Sequence, residues 1–229
     1  MIQWKGNPNT MKAQISAMLE KIRYSHESEE MCYIAINGGF EFEIKNKLAF
    51  WLEYNNNDNN SIFFLKEAKI GRCSENSKII DIISILPNET LNQGDIPYID
   101  GEKKHNKIWC SIEIGHNYLS QPVGLAMNKT RTDIAKCFKA GVKSNLFNIQ
   151  IITDITRINE ETARFYFKSS YLRDVKKHIS NKMSEKKIEK IIQFYKAIDQ
   201  NYNKLTFLNN WNGFNSTIFV FILEPSKLE

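Results

Sequence analysis

The sequence is poor in the residues that interrupt a chain, and it lacks several motifs of cofactor chemistry. Its 229 residues include ten glycines and five prolines. The glycines are dispersed, and no phosphate-cradling glycine loop, dinucleotide fingerprint or Ser-His-Asp nucleophile elbow occurs. This composition argues against an enzyme that uses a nucleotide cofactor.

The sequence also lacks the patterns of a disulfide framework, a zinc site or a membrane-spanning segment. The four cysteines form no Cys-x-x-Cys pair, and no histidine stands at metal-ligand spacing from them. Most lie in apolar surroundings, which favours free buried thiols over disulfides or zinc. No stretch approaches the roughly 18 apolar residues that a membrane span needs, and residues 1–8 lack the apolar core of a signal peptide. We therefore expect a cytoplasmic protein with no membrane partner.

The remaining composition is that of an ordinary globular protein, with 42% hydrophobic and 25% charged residues. One domain over residues 1–229 is the simplest organisation. Lys and Arg outnumber Asp and Glu by 31 to 26, which leans toward anionic partners. The excess is concentrated between Arg164 and Lys204, where a basic helical face would be able to follow phosphates or simply face solvent.

Hydrophobic periodicity divides the domain into three parts. Residues 1–75 are predicted to hold a helix over 10–23 and then an antiparallel meander. The strands of this meander are predicted at 31–36, 40–45, 48–54 and 61–70, with a hairpin turn at Asn37-Gly38-Gly39.

The second and third parts alternate strands and helices. In residues 76–155 we predict a strand or short helix at 78–86, strands at 96–100, 108–114 and 147–155, and a helix at 122–139. In residues 156–229 we predict helices at 159–178 and from 184, and a final strand at 217–223. The predicted fold class is α/β (α+β mixed), a central mixed sheet flanked by helices with an N-terminal antiparallel meander.

Two carboxylates stand out in the middle part. Asp100 ends one predicted strand, and Glu113 is embedded in the apolar strand 108–114. If the two strands pair, these side chains converge, as hydrolysis of a phosphodiester with a bound divalent metal requires. Alternatively, Glu113 faces solvent on an edge strand.

The stretch from Ile96 to Asp154 resembles the core of the PD-(D/E)XK nucleases, particularly type II restriction endonucleases of the BamHI and BglII kind. The resemblance rests on Pro97-Tyr98-Ile99-Asp100-Gly101, on Trp109 to Asn117, and on the helix and strand that follow. It implies a restriction-endonuclease-like core in which Asp100 and Glu113 bind Mg²⁺.

The third position of that motif departs from the family, because Gly115 stands where Lys, Glu or Gln is usual. Three explanations are open. One is a shifted register in which Ser111 and Glu113 are the motif positions, and the second is a relocated lysine, with Lys129 on the following helix as the preferred candidate. The third is an inactive site. His116 is a further candidate for assistance.

Two other motifs compete with this interpretation. Glu43-Ile44-Lys45 is an intact Glu-x-Lys, although no Asp precedes it and Glu29 or Glu30 would have to take that place. Arg173 and His178 match the Arg-x4-His pattern of HEPN ribonucleases, which would work without a metal.

The leading hypothesis is a Mg²⁺-dependent endonuclease that cuts double-stranded DNA, of restriction type and homodimeric, since cutting both strands needs two sites. Asp100, Glu113 and Lys129 would be catalytic. DNA backbone contacts would come from the late lysines. These are Lys176, Lys177, Lys186 and Lys187. The alternatives are a non-catalytic nucleic-acid-binding or interaction protein on the same scaffold, or the metal-independent RNase.

Overall fold

The computed structural model describes most of the chain. The described residues are 8–36, 40–54, 63–70, 78–87, 106–139, 145–157, 179, 184–211 and 213–225. Within them, five helices pack on one six-stranded mixed sheet. The predicted class of a mixed α/β protein is therefore confirmed.

In the described part of the chain, three helices precede the strand at Phe63–Ile70 and two follow later. They are α1 (Pro8–Ser25), α2 (Ser28–Ile36), α3 (Phe40–Tyr54), α4 (Val123–Lys139) and α5 (Ser184–Ile198). The predicted helix at 10–23 is confirmed as α1, which buries Met11, Ile15, Leu19 and Ile22 at helical spacing. The helices predicted at 122–139 and from 184 are confirmed as α4 and α5.

The sheet is mixed, with four antiparallel strand pairs and one parallel pair among the described residues. Its strands are β1 (Phe63–Ile70), β2 (Lys78–Pro87), β3 (Asn106–Tyr118), β4 (Leu146–Arg157), β5 (Asn203–Trp211) and β6 (Phe214–Leu223). Their spatial order is β1-β2-β3-β4-β6-β5, and only β3 and β4 run parallel among the described pairs. Because α4 connects these two parallel strands, it lies across them on one face of the sheet.

The two faces of the sheet carry different helices. The larger core lies between the sheet and α1, α2 and α3, and it includes Phe40, Ile112, Ile149 and Val220. A second core lies under α5, where Tyr195 packs on Phe221 with ring centroids 4.8 Å apart. The sheet is therefore the middle layer between two helical layers.

The predicted N-terminal meander is wrong. The segments predicted as strands at 31–36, 40–45 and 48–54 are the helices α2 and α3. The apolar positions of α3, Phe40, Ile44, Leu48 and Leu52, recur every four residues and are all buried. The alternation at 40–45 was too short to decide between strand and helix, and burial along one helical stripe stabilised the helix. The meander of this fold is formed by β1, β2 and β3 instead.

Several other predictions can be compared with the structure. Strands at 61–70, 108–114, 147–155 and 217–223 are confirmed within β1, β3, β4 and β6, and 78–86 is a strand, β2. The edge strand β5 was not predicted. The strand at 96–100, the helix at 159–178 and the turn at 37–39 lie outside the described residues.

Three cysteines are free buried thiols, as expected: Cys32, Cys110 and Cys137. Cys73 lies outside the described part of the chain. Among the helices that the structure describes, none is both long and apolar enough to cross a membrane.

Candidate active site

Glu113 is a buried carboxylate in the middle of the sheet. Its neighbours in β3, Ile112 and Ile114, point into the larger core, whereas its own side chain contacts α4. Only 3% of the Glu113 side chain is exposed, and Lys136 Nζ of α4 lies 2.6 Å from its Oε1. A buried carboxylate is costly without such a partner. The possibility that Glu113 faces solvent on an edge strand is therefore excluded.

Asp81 of β2 lies beside Glu113, at the point where β2 and β3 separate. The recorded pairing of these strands ends at Ile82 and Ile112, so Asp81 and Glu113 are the next positions along. The backbone N–H of Asp81 donates to Glu113 Oε1 at 3.3 Å, and the N–H of Ile114 donates to Asp81 Oδ2 at 2.8 Å. The carboxylates thus take over backbone donors that strand pairing no longer satisfies.

The helix α3 completes this arrangement from the other helical layer. Lys45 Nζ lies 2.7 Å from Asp81 Oδ1. Glu41, one turn earlier, accepts a hydrogen bond from the backbone N–H of His116, and its Oε2 lies 4.0 Å from Lys129 Nζ. Both helical layers therefore supply ammonium groups to the carboxylates at the end of the β2–β3 pairing.

Asp133 and Gln150 extend the polar region beneath α4. Gln150 Nε2 donates to Asn148 Oδ1 at 2.8 Å and reaches Asp133 Oδ2 at 3.4 Å. Asn148 and Gln150 are fully buried on β4, directly across from Glu113 and Gly115 of β3. We call the charged side chains of this region the carboxylate–lysine cluster. Its members are Glu41, Lys45, Asp81, Glu113, Lys129, Asp133 and Lys136.

Burial and like charge shift the pKa values of the acids. Burial, and then the charge of Asp81, raise the pKa of Glu113 from an ordinary value of 4.5 to about 8. Burial raises the pKa of Asp133 to about 6 and also raises the pKa of Glu41. For Lys45, burial lowers the pKa, but the hydrogen bond and charge of Asp81 outweigh it, so the pKa is raised. Burial is therefore the main reason that Glu113, Asp133 and Glu41 hold their protons more tightly than usual.

The cluster brings together some of the predicted residues. Glu113 and Lys129 both belong to it, but Asp100 lies outside the described residues, and its pairing with Glu113 stays a prediction. The competing Glu43-Ile44-Lys45 motif is divided. Lys45 faces Asp81, whereas Glu43 lies 2.6 Å from Lys47 and 3.2 Å from His26.

The other candidates lie apart or outside the described residues. His116 Nε2 lies 2.8 Å from Thr153 Oγ1 of β4. Lys187 donates to the backbone carbonyls of Leu119, Ser120 and Gln121, at 2.9 to 3.4 Å, and so stabilises the turn after β3. Lys186 is exposed. Lys176, Lys177, Arg173 and His178 lie outside the described residues, so the DNA contacts and the ribonuclease motif stay predictions.

The donor set at Asp81 and Glu113 is compatible with a hard divalent cation. Mg²⁺ is commonly held by one or two carboxylates and completes its shell with water or substrate oxygens. Two adjacent carboxylates, one with a strongly raised pKa, are what an added positive charge would stabilise. Within the described part of the chain, no group of three or more His, Cys, Asp or Glu side chains has the arrangement of a metal site.

Asp81 was missed in the sequence, although a signal for it existed. It is the single charged residue within the apolar run 79–86, just as Glu113 is within 108–114. No protein-family model, curated protein or solved structure matches this chain. The cluster therefore has to be interpreted from its own geometry.

Proposed function

We propose that the protein is a Mg²⁺-dependent endonuclease that hydrolyses phosphodiester bonds in double-stranded DNA. One observation carries the proposal: Asp81 and Glu113 meet where β2 and β3 separate, and lysines from both helical layers surround them. This pairing of hard oxygen ligands with cationic side chains suits a substrate that is a phosphodiester. The restriction-endonuclease-like core belongs to the same proposal, supported by the order β2, β3, α4, β4 around Glu113.

In this proposal Asp81 takes the place that the sequence assigned to Asp100. Asp81 and Glu113 would hold the cation between β2 and β3. A bound Mg²⁺ polarises a phosphoryl oxygen and makes water a better nucleophile. Lys45 and Lys136 now pair with the two carboxylates. Once the cation neutralises those carboxylates, the two ammonium groups would bind the non-bridging oxygens of the scissile phosphate.

Lys129 remains a candidate for a relocated catalytic lysine. Its ammonium is partly exposed, it lies 4.0 Å from Glu41, and its charge lowers the pKa of Asp133. It would be able to approach a phosphate from the solvent side of α4.

Cutting both strands at one position needs two such sites, so we propose a homodimer. Light scattering of the purified protein would test this.

The test is cleavage of a mixed plasmid and phage DNA panel, with Mg²⁺ and with EDTA. Removing one metal ligand should reduce cleavage by about 100-fold or more in Asp81→Asn and Glu113→Gln, while a gel-shift assay should still detect DNA binding. The matched control is Glu43→Gln, because Glu43 belongs to the competing motif and lies outside the cluster. It should cleave like the wild type.

Each of the other outcomes would support a different function for the protein. Cleavage that survives in Asp81→Asn but is lost in Asp100→Asn would return the metal ligand to the predicted position. DNA binding without any cleavage would support the non-catalytic binder. Hydrolysis of RNA in EDTA that depends on Arg173 and His178 would support the ribonuclease.

A further inference from the structure

Gly115 is a glycine because Gln150 lies across it. A Cβ placed on Gly115 would come within 2.6 Å of both Oε1 and Nε2 of Gln150. No side chain is accommodated at that distance without moving the glutamine. The backbone of Gly115 does not have a positive φ, which among the described glycines is recorded only for Gly213. Room for Gln150, rather than backbone conformation, is therefore the requirement at this position.

The contacts of Gln150 favour one orientation of its side-chain amide. Its Nε2 donates to Asn148 Oδ1 and to the carboxylate of Asp133, and both partners are acceptors. Exchanging the oxygen and nitrogen of the Gln150 amide would place Oε1 against Asp133 Oδ2, which is an acceptor, and would require Asn148 to turn its own amide as well. The Asp133 carboxylate therefore favours the orientation in which Nε2 faces Asn148 and Asp133.

This orientation leaves the amide oxygen without a partner. Gln150 is fully buried, and its Oε1 has no hydrogen-bond partner among the described residues. Gly115 follows Glu113 by two positions on the same face of β3, so the Gln150 amide that covers Gly115 lies on the face of the sheet that carries Glu113. A buried acceptor of this kind is rarely left unsatisfied in a folded protein.

We propose that Gln150 Oε1 is a third protein oxygen ligand of the cation that Asp81 and Glu113 hold. The inference rests on the proposed function, because it needs that cation. Amide oxygens and carboxylates are both hard donors, and together they suit Mg²⁺ and Mn²⁺. In this interpretation β4 supplies the polar group that β3 lacks at Gly115, and Asp133 and Asn148 orient it.

The test measures cation binding, independently of cleavage. Isothermal titration calorimetry with Mn²⁺ would be run on the wild-type protein and on Gln150→Leu. Loss of a metal-coordinating or orienting group should weaken Mn²⁺ binding by about 10- to 100-fold. The matched control is Gln14→Leu, since Gln14 is also a buried glutamine with an unpartnered Oε1, but lies on α1 outside the cluster. That variant should bind Mn²⁺ like the wild type.

A second pair of variants tests the position while leaving the glutamine in place. Gly115→Ala should displace Gln150 and weaken Mn²⁺ binding in the same direction. Gly124→Ala is its control, because a Cβ on Gly124 meets nothing within 4 Å. Gln150→Glu adds a charged oxygen ligand and should bind Mn²⁺ at least as tightly as the wild type. Circular dichroism of each variant confirms that it is folded.

The outcomes separate the inference from the proposed function. If the wild type binds Mn²⁺ and folded Gln150→Leu and Gly115→Ala bind it equally well, then Gln150 is no ligand, while the function of Asp81 and Glu113 stands. If the wild type binds no Mn²⁺, both proposals are overturned. If Gln14→Leu weakens binding as much as Gln150→Leu, the effect is general and the inference is overturned alone.

Discussion

Replacement of Glu113 by glutamine should make the protein more stable at alkaline pH. Burial and the neighbouring Asp81 raise the pKa of Glu113 from 4.5 to about 8. The folded protein therefore binds this proton more tightly than the unfolded chain does. Its contribution to the free energy of unfolding is fully present below about pH 4.5 and is lost as the pH rises through about 8. Glutamine has nearly the same shape but never ionises, so the variant avoids the loss.

The size of the effect follows from the pKa difference. A rise of about 3.5 units, at about 1.36 kcal/mol per unit, gives an upper bound of about 5 kcal/mol. Lys136 is partly exposed, at 23% of its side chain, so it can move to follow the charge. With such relaxation and some entry of water, we expect a measured difference of about 2–3 kcal/mol between the variant and the wild type.

Urea unfolding followed by tryptophan fluorescence would measure this difference. Near pH 5 the free energies of unfolding should be alike, and at about pH 9 Glu113→Gln should be the more stable by the stated amount. Glu43→Gln is the control. Burial raises the pKa of Glu43, but the hydrogen bonds and charges of Lys47 and His26 outweigh burial and lower it, so the effect of this substitution should not change between these pH values. Unfolding free energies of Glu113→Gln and wild type that run parallel across this range would refute the reasoning.

Three further predictions test the fold. Phe40→Ala should lower the free energy of unfolding by about 3–5 kcal/mol, because the Phe40 side chain is buried in α3. Phe42→Ala should lower it by less than about 0.5 kcal/mol, because that side chain is 65% exposed. A strand would place both side chains on one face, and urea unfolding of the two variants distinguishes the cases. Lys12→Met removes the partner that lies 2.7 Å from the buried carboxylate of Asp199, and should lower the unfolding free energy by about 2–3 kcal/mol in the same assay. Gly213→Ala forces a side chain into a φ of 80° in the β5–β6 hairpin, and calorimetry should show a loss of about 1–2 kcal/mol.

The sequence predicted the elements whose hydrophobic pattern is long or uninterrupted. The apolar run of β4 and the helical spacing in α1 and α5 each admitted one interpretation, and the structure confirms them. The segment 40–54 contains both periods, since Phe40 and Phe42 alternate as in a strand while Ile44 and Leu48 continue a helical stripe. Packing against the rest of the core decides such a case, and a local pattern does not contain that packing.

Only part of the candidate site could be predicted from the sequence, because local patterns do not show which segments pack together. Glu113 was identified because a carboxylate inside an apolar strand is conspicuous. Asp81 was not identified, because the chain before Glu113 also offered an acidic turn at Asp100 and no local signal for which strand pairs with β3. Lys45 was noticed only as part of a motif with Glu43, on a segment predicted as a strand. The contact between Lys45 and Asp81 depends on how α3 crosses the sheet, which only the tertiary structure gives.

The charge balance of the cluster leads to a prediction about how the cation and DNA are coupled. Without a cation, Lys45 and Lys136 each lie within 2.7 Å of a carboxyl oxygen, and above about pH 8, where Glu113 is ionised, both ammonium charges are compensated. A divalent cation between Asp81 and Glu113 would take over that compensation. The two ammonium groups would then be available to phosphates. In the proposed function, binding of the cation should therefore strengthen binding of DNA, and by linkage the reverse.

The salt dependence of DNA binding measures this release. Each additional phosphate contact steepens the dependence of log K on log salt by about 0.9, so two released lysines should add about 1.8 to the slope. Binding to a duplex that the protein does not cut would be measured at about pH 9, where Glu113 is ionised, at a fixed Mg²⁺ concentration and in EDTA. The double variant Lys45→Met/Lys136→Met corrects for the competition of Mg²⁺ itself at the DNA. The wild type should have the steeper slope in Mg²⁺ only. Equal slopes for the two proteins in Mg²⁺ would mean that these lysines do not contact phosphate, and that they serve only to neutralise Asp81 and Glu113.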